Sequence, residues 1–476
     1  MKNEIVSEAA KHKLLLSPDA LELLDSAGID PVMLNTVLSA VAKNTNIASK
    51  KDIEDFLSGE KGLLKAEKAI APRNKKNTDV RIIPNTDITG NSTCTGTVKD
   101  FATYVQARYK ALRRIIEKHP SYNLVCDIAT SKGLGREVFL VGIIYEVNVT
   151  KNGHLIIELE DMTGTCKGFI GKDSPLRNEV LVTDEVIGVV GKYTTSGLFI
   201  INQIIYPDLP EKRKWNPSDS QSCIAFASDI HVGSAEFLEQ HWDNMTSWMR
   251  RNSEKQNIDY ILFAGDVVDG IGVYPDQDKD LIEKDIYSQY EMLSELLKDL
   301  PDNMQVIVQP GNHDACRLAE PQPALSSIYT KKFDSNIILA GNPTSFDIEG
   351  RVITSYHGKS FDDWISCIRG AKYENPLPIM QQMLVKRHLA PIYGKKNALA
   401  PEKEDYLAMV NTPDILVTGH IHSFAVGEYR GTQMINSSTY QAQTSYQKEH
   451  NFNPIPSKMP ICHLGTGRVV VKDFRK

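Results

Sequence analysis

Ile224-Ala225-Phe226-Ala227-Ser228-Asp229-Ile230-His231-Val232-Gly233 is the stretch on which the fold turns. Its four leading apolar residues read as a buried strand. That strand hands a carboxylate and an imidazole to its C-terminal end, where α/β folds build their sites. Residues two apart on extended backbone share a face. Asp229 and His231 are therefore expected to grip one divalent metal together.

The same arrangement recurs downstream. From Ser222 onward apolar strands alternate with helical stretches, the pattern of an α/β domain. Tyr260 to Ala264 runs into Gly265-Asp266, with Asp269 just beyond. Val306 to Val308 leads to Gly311-Asn312-His313-Asp314. Arg351 to Tyr356 delivers His357-Gly358, and Ile415 to Thr418 delivers Gly419-His420-Ile421-His422. One histidine after one strand means little, but five such strand ends in order point to a metal centre.

Carboxylate, imidazole and amide oxygen suit Mn²⁺, with Fe²⁺, Zn²⁺ and Mg²⁺ as alternatives. The donors suffice for two ions. Asp266 is expected to bridge them, since a carboxylate has two oxygens and such metal pairs sit about 3.5–4 Å apart. The pair would clamp a phosphate and generate hydroxide. His313 is better placed as general acid for the leaving alkoxide than as a ligand. Asp269 is expected to orient His313 by accepting its second N–H, as carboxylates do for catalytic imidazoles, and Asp314 is the competing partner.

The 476 residues predict two or three domains, and the formal charge of −6 argues against a uniformly basic nucleic-acid coat. The seven scattered cysteines contain no Cys-x-x-Cys pair, which fits reduced thiols in a cytoplasmic protein rather than a disulfide framework. No signal-peptide core or membrane-length apolar run is evident. Residues 1–58 read as a small helical module, with Ser17-Pro18 as cap and first helical residue and a second helix from Asp30-Pro31. Residues 59–98 are polar and turn-rich and are expected to be a flexible linker. Residues 99–210 read as an amphipathic helix followed by about five short strands, with an Asn152-Gly153 hairpin turn, in a small barrel of the OB type. Residues 220–476 form the metal-binding domain. The expected class is thus multidomain α+β. Lys386, Arg387 and His388, with Lys395-Lys396, form a basic cluster that could hold a phosphate backbone. Tyr393 or Tyr440 could stack on a terminal base.

The motif order resembles the calcineurin-like metallophosphoesterase superfamily. By that resemblance Asp229, His231, Asp266 and His422 hold one metal, and Asp266, Asn312, His357 and His420 hold the other. The sequence between the motifs narrows the match. Val267-Val268-Asp269-Gly270, Glu320-Pro321-Gln322-Pro323, Lys359-Ser360-Phe361-Asp362-Asp363, Lys386 to Gly394 and Ala400-Pro401-Glu402, with a barrel upstream, resemble the small-subunit family of archaeal family D DNA polymerases. The resemblance implies a 3′–5′ exonuclease that proofreads for a large polymerising subunit, acts on DNA and works at the nucleoid. It leaves the sliding clamp as a further partner, although no clamp-binding peptide stands out. Two other readings are a phosphomonoesterase or phosphodiesterase of small substrates, and a non-catalytic scaffold for a polymerase.

Overall fold

The computed structural model describes residues 2–26, 38, 41, 42, 45, 47–53, 79–119, 124–449 and 451–475. The chain divides into two compact units, Met1–Asn77 and Thr78–Lys476.

In the first unit, helices α1 (Lys2–Lys11) and α2 (Pro18–Ser26) flank strand β1 (Leu15–Leu16), and β2 is Ile47–Ala48. Ser17 caps α2 by accepting the N–H of Ala20 at 3.2 Å. Strands β1 and β2 pair in parallel, Leu15 opposite Ile47, an element no sequence pattern marks. Strands of two residues are too short to show a period-two pattern. Ile5, Ala9, Leu14, Ala20, Leu24 and Ile53 build the core. Most of the helix expected from Asp30-Pro31 falls outside the described residues.

The second unit begins with β3 (Val80–Ile82) and corrects the expectation of a mobile linker. Strand β3 pairs with a strand of the C-terminal domain, Ile82 opposite Phe346. Downstream, the Asp87 carboxylate accepts the N–H of Gly341 at 3.1 Å, and Glu402 accepts that of Thr93 at 2.9 Å. The polar, turn-rich composition serves these long-range hydrogen bonds, so residues 79–97 are built into the domain. Residues 59–78 of that stretch lie outside the described residues.

Helix α3 (Val98–Ile116) starts at a capping box, in which Thr97 and Asp100 each accept the other's backbone N–H. It is followed by α4 (Ile128–Ser131). Strands β4 (Val138–Val149), β5 (Leu155–Glu160), β6 (Thr165–Ile170), β7 (Val186–Tyr193) and β8 (Phe199–Ile205) close into a barrel in the order β4-β5-β6-β8-β7. Leu140, Ile157, Leu159, Val189 and Phe199 fill it.

The remaining elements are β9 (Cys223–Ala227), α5 (Glu239–Asn252), β10 (Ile258–Ala264), α6 (Ile286–Leu297), β11 (Gln305–Gln309), β12 (Ile337–Leu339), β13 (Thr344–Ile348), β14 (Arg351–Tyr356), α7 (Phe361–Cys367), α8 (Leu377–Lys386), β15 (Ile415–Thr418), β16 (Phe424–Tyr429), β17 (Thr432–Ser437), α9 (Ser445–Glu449), β18 (Lys458–His463) and β19 (Val469–Asp473). They make two sheets, β12-β11-β10-β9-β18-β19 and β16-β17-β15-β14-β13-β3. Phe226, Tyr260 and Leu262 from the first meet Phe346, Ile353, Ile415 and Ile435 from the second. Trp242, Met245 and Tyr290 of α5 and α6 cover the first sheet, and Trp364, Met380 and Met383 of α7 and α8 cover the second. Sheets buried on both faces explain why these strands are apolar runs rather than alternating patterns. No helix among the described residues is long and apolar enough to cross a membrane.

Candidate metal centre

The C-terminal ends of β9, β10, β11, β14 and β15 carry the nine residues expected at the centre. Their loops are stitched together by backbone. The Asp229 N–H donates to Gly265 at 2.9 Å, that of His231 to Asp266 at 3.1 Å, and that of Gly419 to His357 at 2.8 Å. Asp229 and His231 are not on extended backbone, as expected from the sequence, but left-handed, with φ of 51° and 56°. Asp266 (51°), His420 (68°) and His422 (49°) are left-handed too. Such a conformation costs a non-glycine residue about 1–3 kcal/mol and collects at functional sites. It turns each side chain off its strand axis toward a common point. Glycine is required beside them: a Cβ on Gly311 would collide with Asp266 and His357, and one on Gly419 with Asp229.

The donor atoms gather in two groups with no residue in common, and His231, Asp269 and His313 make a third that shares His231 with the first. Asp229, His231 and His422 offer atoms all within 4.8 Å of one another, as do Asp266, His357 and His420. Oδ2 of Asp266 lies 3.2 Å from His357 Nε2 and 3.9 Å from His231 Nε2. One oxygen therefore faces both groups, while Oδ1 accepts the His313 N–H at 2.8 Å. The Asn312 Oδ1 is 3.1 Å from His357 Nε2.

Two of the imidazoles are oriented from behind by groups at or just beyond the end of β10. His231 Nδ1 is 2.9 Å from Asp269 Oδ1, and His357 Nδ1 is 2.9 Å from the Ala264 carbonyl. Both contacts leave Nε2 facing the cluster, the arrangement that orients metal-binding histidines. Nε2 atoms of His231 and His422 face each other at 3.0 Å, so a proton or a cation must lie between them. Burial disfavours charge on Asp266, yet the His357 and His313 imidazoles hold its carboxyl well below the usual range. Burial likewise opposes charge on His357, but Asp266 lifts it to about 10. Burial brings His420 down to about 4. The carboxylates that keep a proton on His357 would keep a cation in its place, with release of that proton. Donor chemistry, spacing and ring orientation all fit divalent ions.

Asp269 differs from expectation. Its carboxylate orients His231, and Gln277 and Gln441 donate to it at 2.9 and 3.0 Å. His313 is held instead by the backbone carbonyl of Asp269, 2.8 Å from Nδ1. Asp314 is no competitor, because its carboxylate accepts the N–H groups of Gly311 and Val267 and the Tyr290 hydroxyl. Three neighbours of the centre escaped notice in the sequence. Asp362 lies 3.8 Å from His420 Nε2, Gln447 lies 2.9 Å from His422 Nδ1, and Gln441 supports Asp269. Only Asp362, on the first turn of the helix after His357-Gly358, left a legible sign.

The expected basic cluster is corrected for three of its five residues, since only Lys395 and Lys396 are exposed. Lys386, Arg387 and His388 are only 1–3% exposed. Lys386 pairs with Glu185 of the barrel at 2.7 Å and lies over Tyr206. Arg387 donates to the carbonyls of Met409 and Val410, and His388 meets Asp405 at 2.8 Å. Arg108 of α3, also buried, reaches the same Asp405 at 2.7 Å. These residues rivet barrel and helix to the C-terminal domain and present nothing to a nucleic acid. Tyr440 is fully buried against Trp242. Tyr393 is exposed, but packs at a tilt against Phe101 beside Asp184, in the groove between α3 and the barrel. Removing one partner of a buried ion pair typically costs about 3–5 kcal/mol. Lys386→Ala is therefore expected to lower the melting temperature markedly, read by calorimetry. Unchanged melting would show that the pair does not hold the barrel.

A calcineurin-like phosphoesterase profile matches residues 224–424. The DNA polymerase II small subunit of Archaeoglobus fulgidus is 39% identical, with 99% of this chain and 98% of that protein covered. That of Methanothermobacter thermautotrophicus is 34% identical over 98% of this chain and 99% of its own length. That of Thermoplasma acidophilum is 37% identical over 91% and 89%.

Proposed function

The chain belongs to the archaeal DNA polymerase II small-subunit family, and from that membership we propose that it is the subunit that hydrolyses DNA from the 3′ end, proofreading for a large polymerising subunit. The observation that carries this reading is the meeting of two donor groups at Asp266 Oδ2, with His313 hydrogen-bonded alongside. Asp229, His231, Asp266 and His422 would hold one ion, and Asp266, Asn312, His357 and His420 the other. Divalent ions bound there, Mn²⁺ first among them, supply Lewis-acid polarisation of a phosphodiester and lower the pKa of water.

The chain's own residues do the rest. Asp269 and the Ala264 carbonyl fix the tautomers of His231 and His357. The Asp269 carbonyl engages His313 Nδ1, which leaves Nε2 to pass a proton to the departing 3′ oxygen. The Asp266 carboxylate takes the His313 N–H and so sets the distance between acid and centre. Five strands closed in the order β4-β5-β6-β8-β7 support the reading of the barrel as one of the OB type. We read it as a docking module. Its tight attachment through Lys386 and Arg108 favours a fixed platform for the large subunit, with the clamp as a further contact of the assembled polymerase at the nucleoid.

A labelled single-stranded or 3′-recessed DNA, incubated with Mn²⁺, should lose nucleotides from its 3′ end. A small-substrate esterase would cleave only p-nitrophenyl-type esters, and a scaffold would bind no metal and cleave nothing. The large subunit should copurify with the chain.

A further inference from the structure

We propose that four aromatic side chains, Tyr274, Tyr446, Tyr373 and Phe452, form a subsite that stacks the unpaired bases next to the scissile phosphodiester. The inference deepens the hydrolase reading and rests on it. The rings form an arc anchored at both ends of the centre. At one end Tyr274 stands 6.2 Å from the His313 ring, and Tyr446 follows at 6.3 Å with its plane tilted by 35°. At the other end Tyr373 packs on Phe452 at 5.7 Å and donates to Asp362 at 2.8 Å, and Asp362 lies 3.8 Å from His420. The two halves meet on one segment, since Tyr446 lies on α9 and the Phe452 N–H donates to the carbonyl of Gln447 on the same helix at 2.9 Å.

The arc is built differently from the core. Core aromatics such as Trp242, Tyr260 and Phe263 are wholly buried, whereas Tyr446 is 55% exposed. Its ring is thus partly solvent-exposed one aromatic neighbour away from His313. The holder is itself tied to the centre. Tyr446 lies on α9, whose Gln447 meets His422, and Gln443 just before that helix donates to the Phe452 carbonyl at 2.8 Å. Every base has a π-face, so stacking here would be tolerant of sequence. Bases in a duplex are already stacked on each other and are poor occupants. The subsite therefore takes single-stranded ends, the form a mismatched terminus adopts most easily.

The Mn²⁺-loaded full chain tests this with two substrates, a single-stranded oligonucleotide and an abasic strand of equal length. Tyr446→Ala is expected to raise KM for the base-bearing strand about 5- to 150-fold, the worth of one base–aromatic stack. Its kcat should be nearly unchanged. KM for the abasic strand should not move, and Tyr446→Phe should behave as the native protein. An unchanged KM on the base-bearing strand, or an equal rise on both strands, overturns the subsite alone. A native protein that cleaves neither strand overturns the hydrolase reading and the subsite together.

Discussion

Asp266→Asn is expected to reduce phosphodiester hydrolysis by about 10³-fold or more and to leave at most one ion bound. Polarisation by a bound metal stabilises a transition state by several kcal/mol, and each 1.4 kcal/mol is worth about tenfold in rate. Asp266 is the single carboxylate whose Oδ2 faces both donor groups, at 3.2 Å from His357 and 3.9 Å from His231. An amide at this position keeps the volume and the chance of accepting the His313 N–H, but it removes the charge both ions would share. With that charge gone, His357 also loses the chief group that favours its cationic form. Metal content by mass spectrometry, beside nucleotide release from a labelled strand, reads both effects. A variant that keeps two ions and native activity would falsify the bridging role. Asp229→Ala and His231→Ala should likewise abolish cleavage while the barrel stays folded, because the Lys386–Glu185 and Arg108–Asp405 pairs lie on other elements.

The centre was legible because its residues sit at regular places in the chain. Each of the five apolar strands is followed at once by its donor, and no long-range information is needed to see Asp229, Asp266, Asn312, His357 or His420. The backbone at those places was not legible. An Asp-x-His after a strand suggests continued extension, but Asp229 and His231 are left-handed, held there by backbone bonds to the neighbouring loop. The Lys386-Arg387-His388 run failed for a different reason. Basic residues are ordinarily solvated, and only the fold reveals that Glu185, in the distant barrel, and Asp405, across the following loop, wait for them. Residues 79–97 misled in the same way. Turn-rich polar sequence marks chain without its own core, and says nothing of the Glu402 and Gly341 partners that fix it. Aromatic residues of the arc come from three separate segments and leave no local pattern.

His313→Ala and Asp269→Asn should both impair cleavage, and the way they differ tests the assignment of roles around His313. Asp269 was expected to steer the acid with its carboxylate, but that carboxylate engages His231 and only its backbone carbonyl engages His313. An Asn at 269 retains the carbonyl. It should therefore leave His313 in place and weaken the hold on the ion near His231, by about 10- to 100-fold in affinity as for other groups that orient metal-binding histidines. Excess Mn²⁺ should restore most of its rate. His313→Ala should bind metal as the native chain does and lose about 10²- to 10⁴-fold in kcat, the usual contribution of a positioned proton donor. Added Mn²⁺ should not rescue it. A substrate whose leaving group needs no proton, such as a p-nitrophenyl ester, should shrink that loss, since a phenolate departs unaided. If His313→Ala is rescued by metal, the residue is a ligand and not the acid. If Asp269→Asn resists rescue, its carboxylate acts on the proton after all, through the His231 ring that lies edge-on to His313 at 4.6 Å.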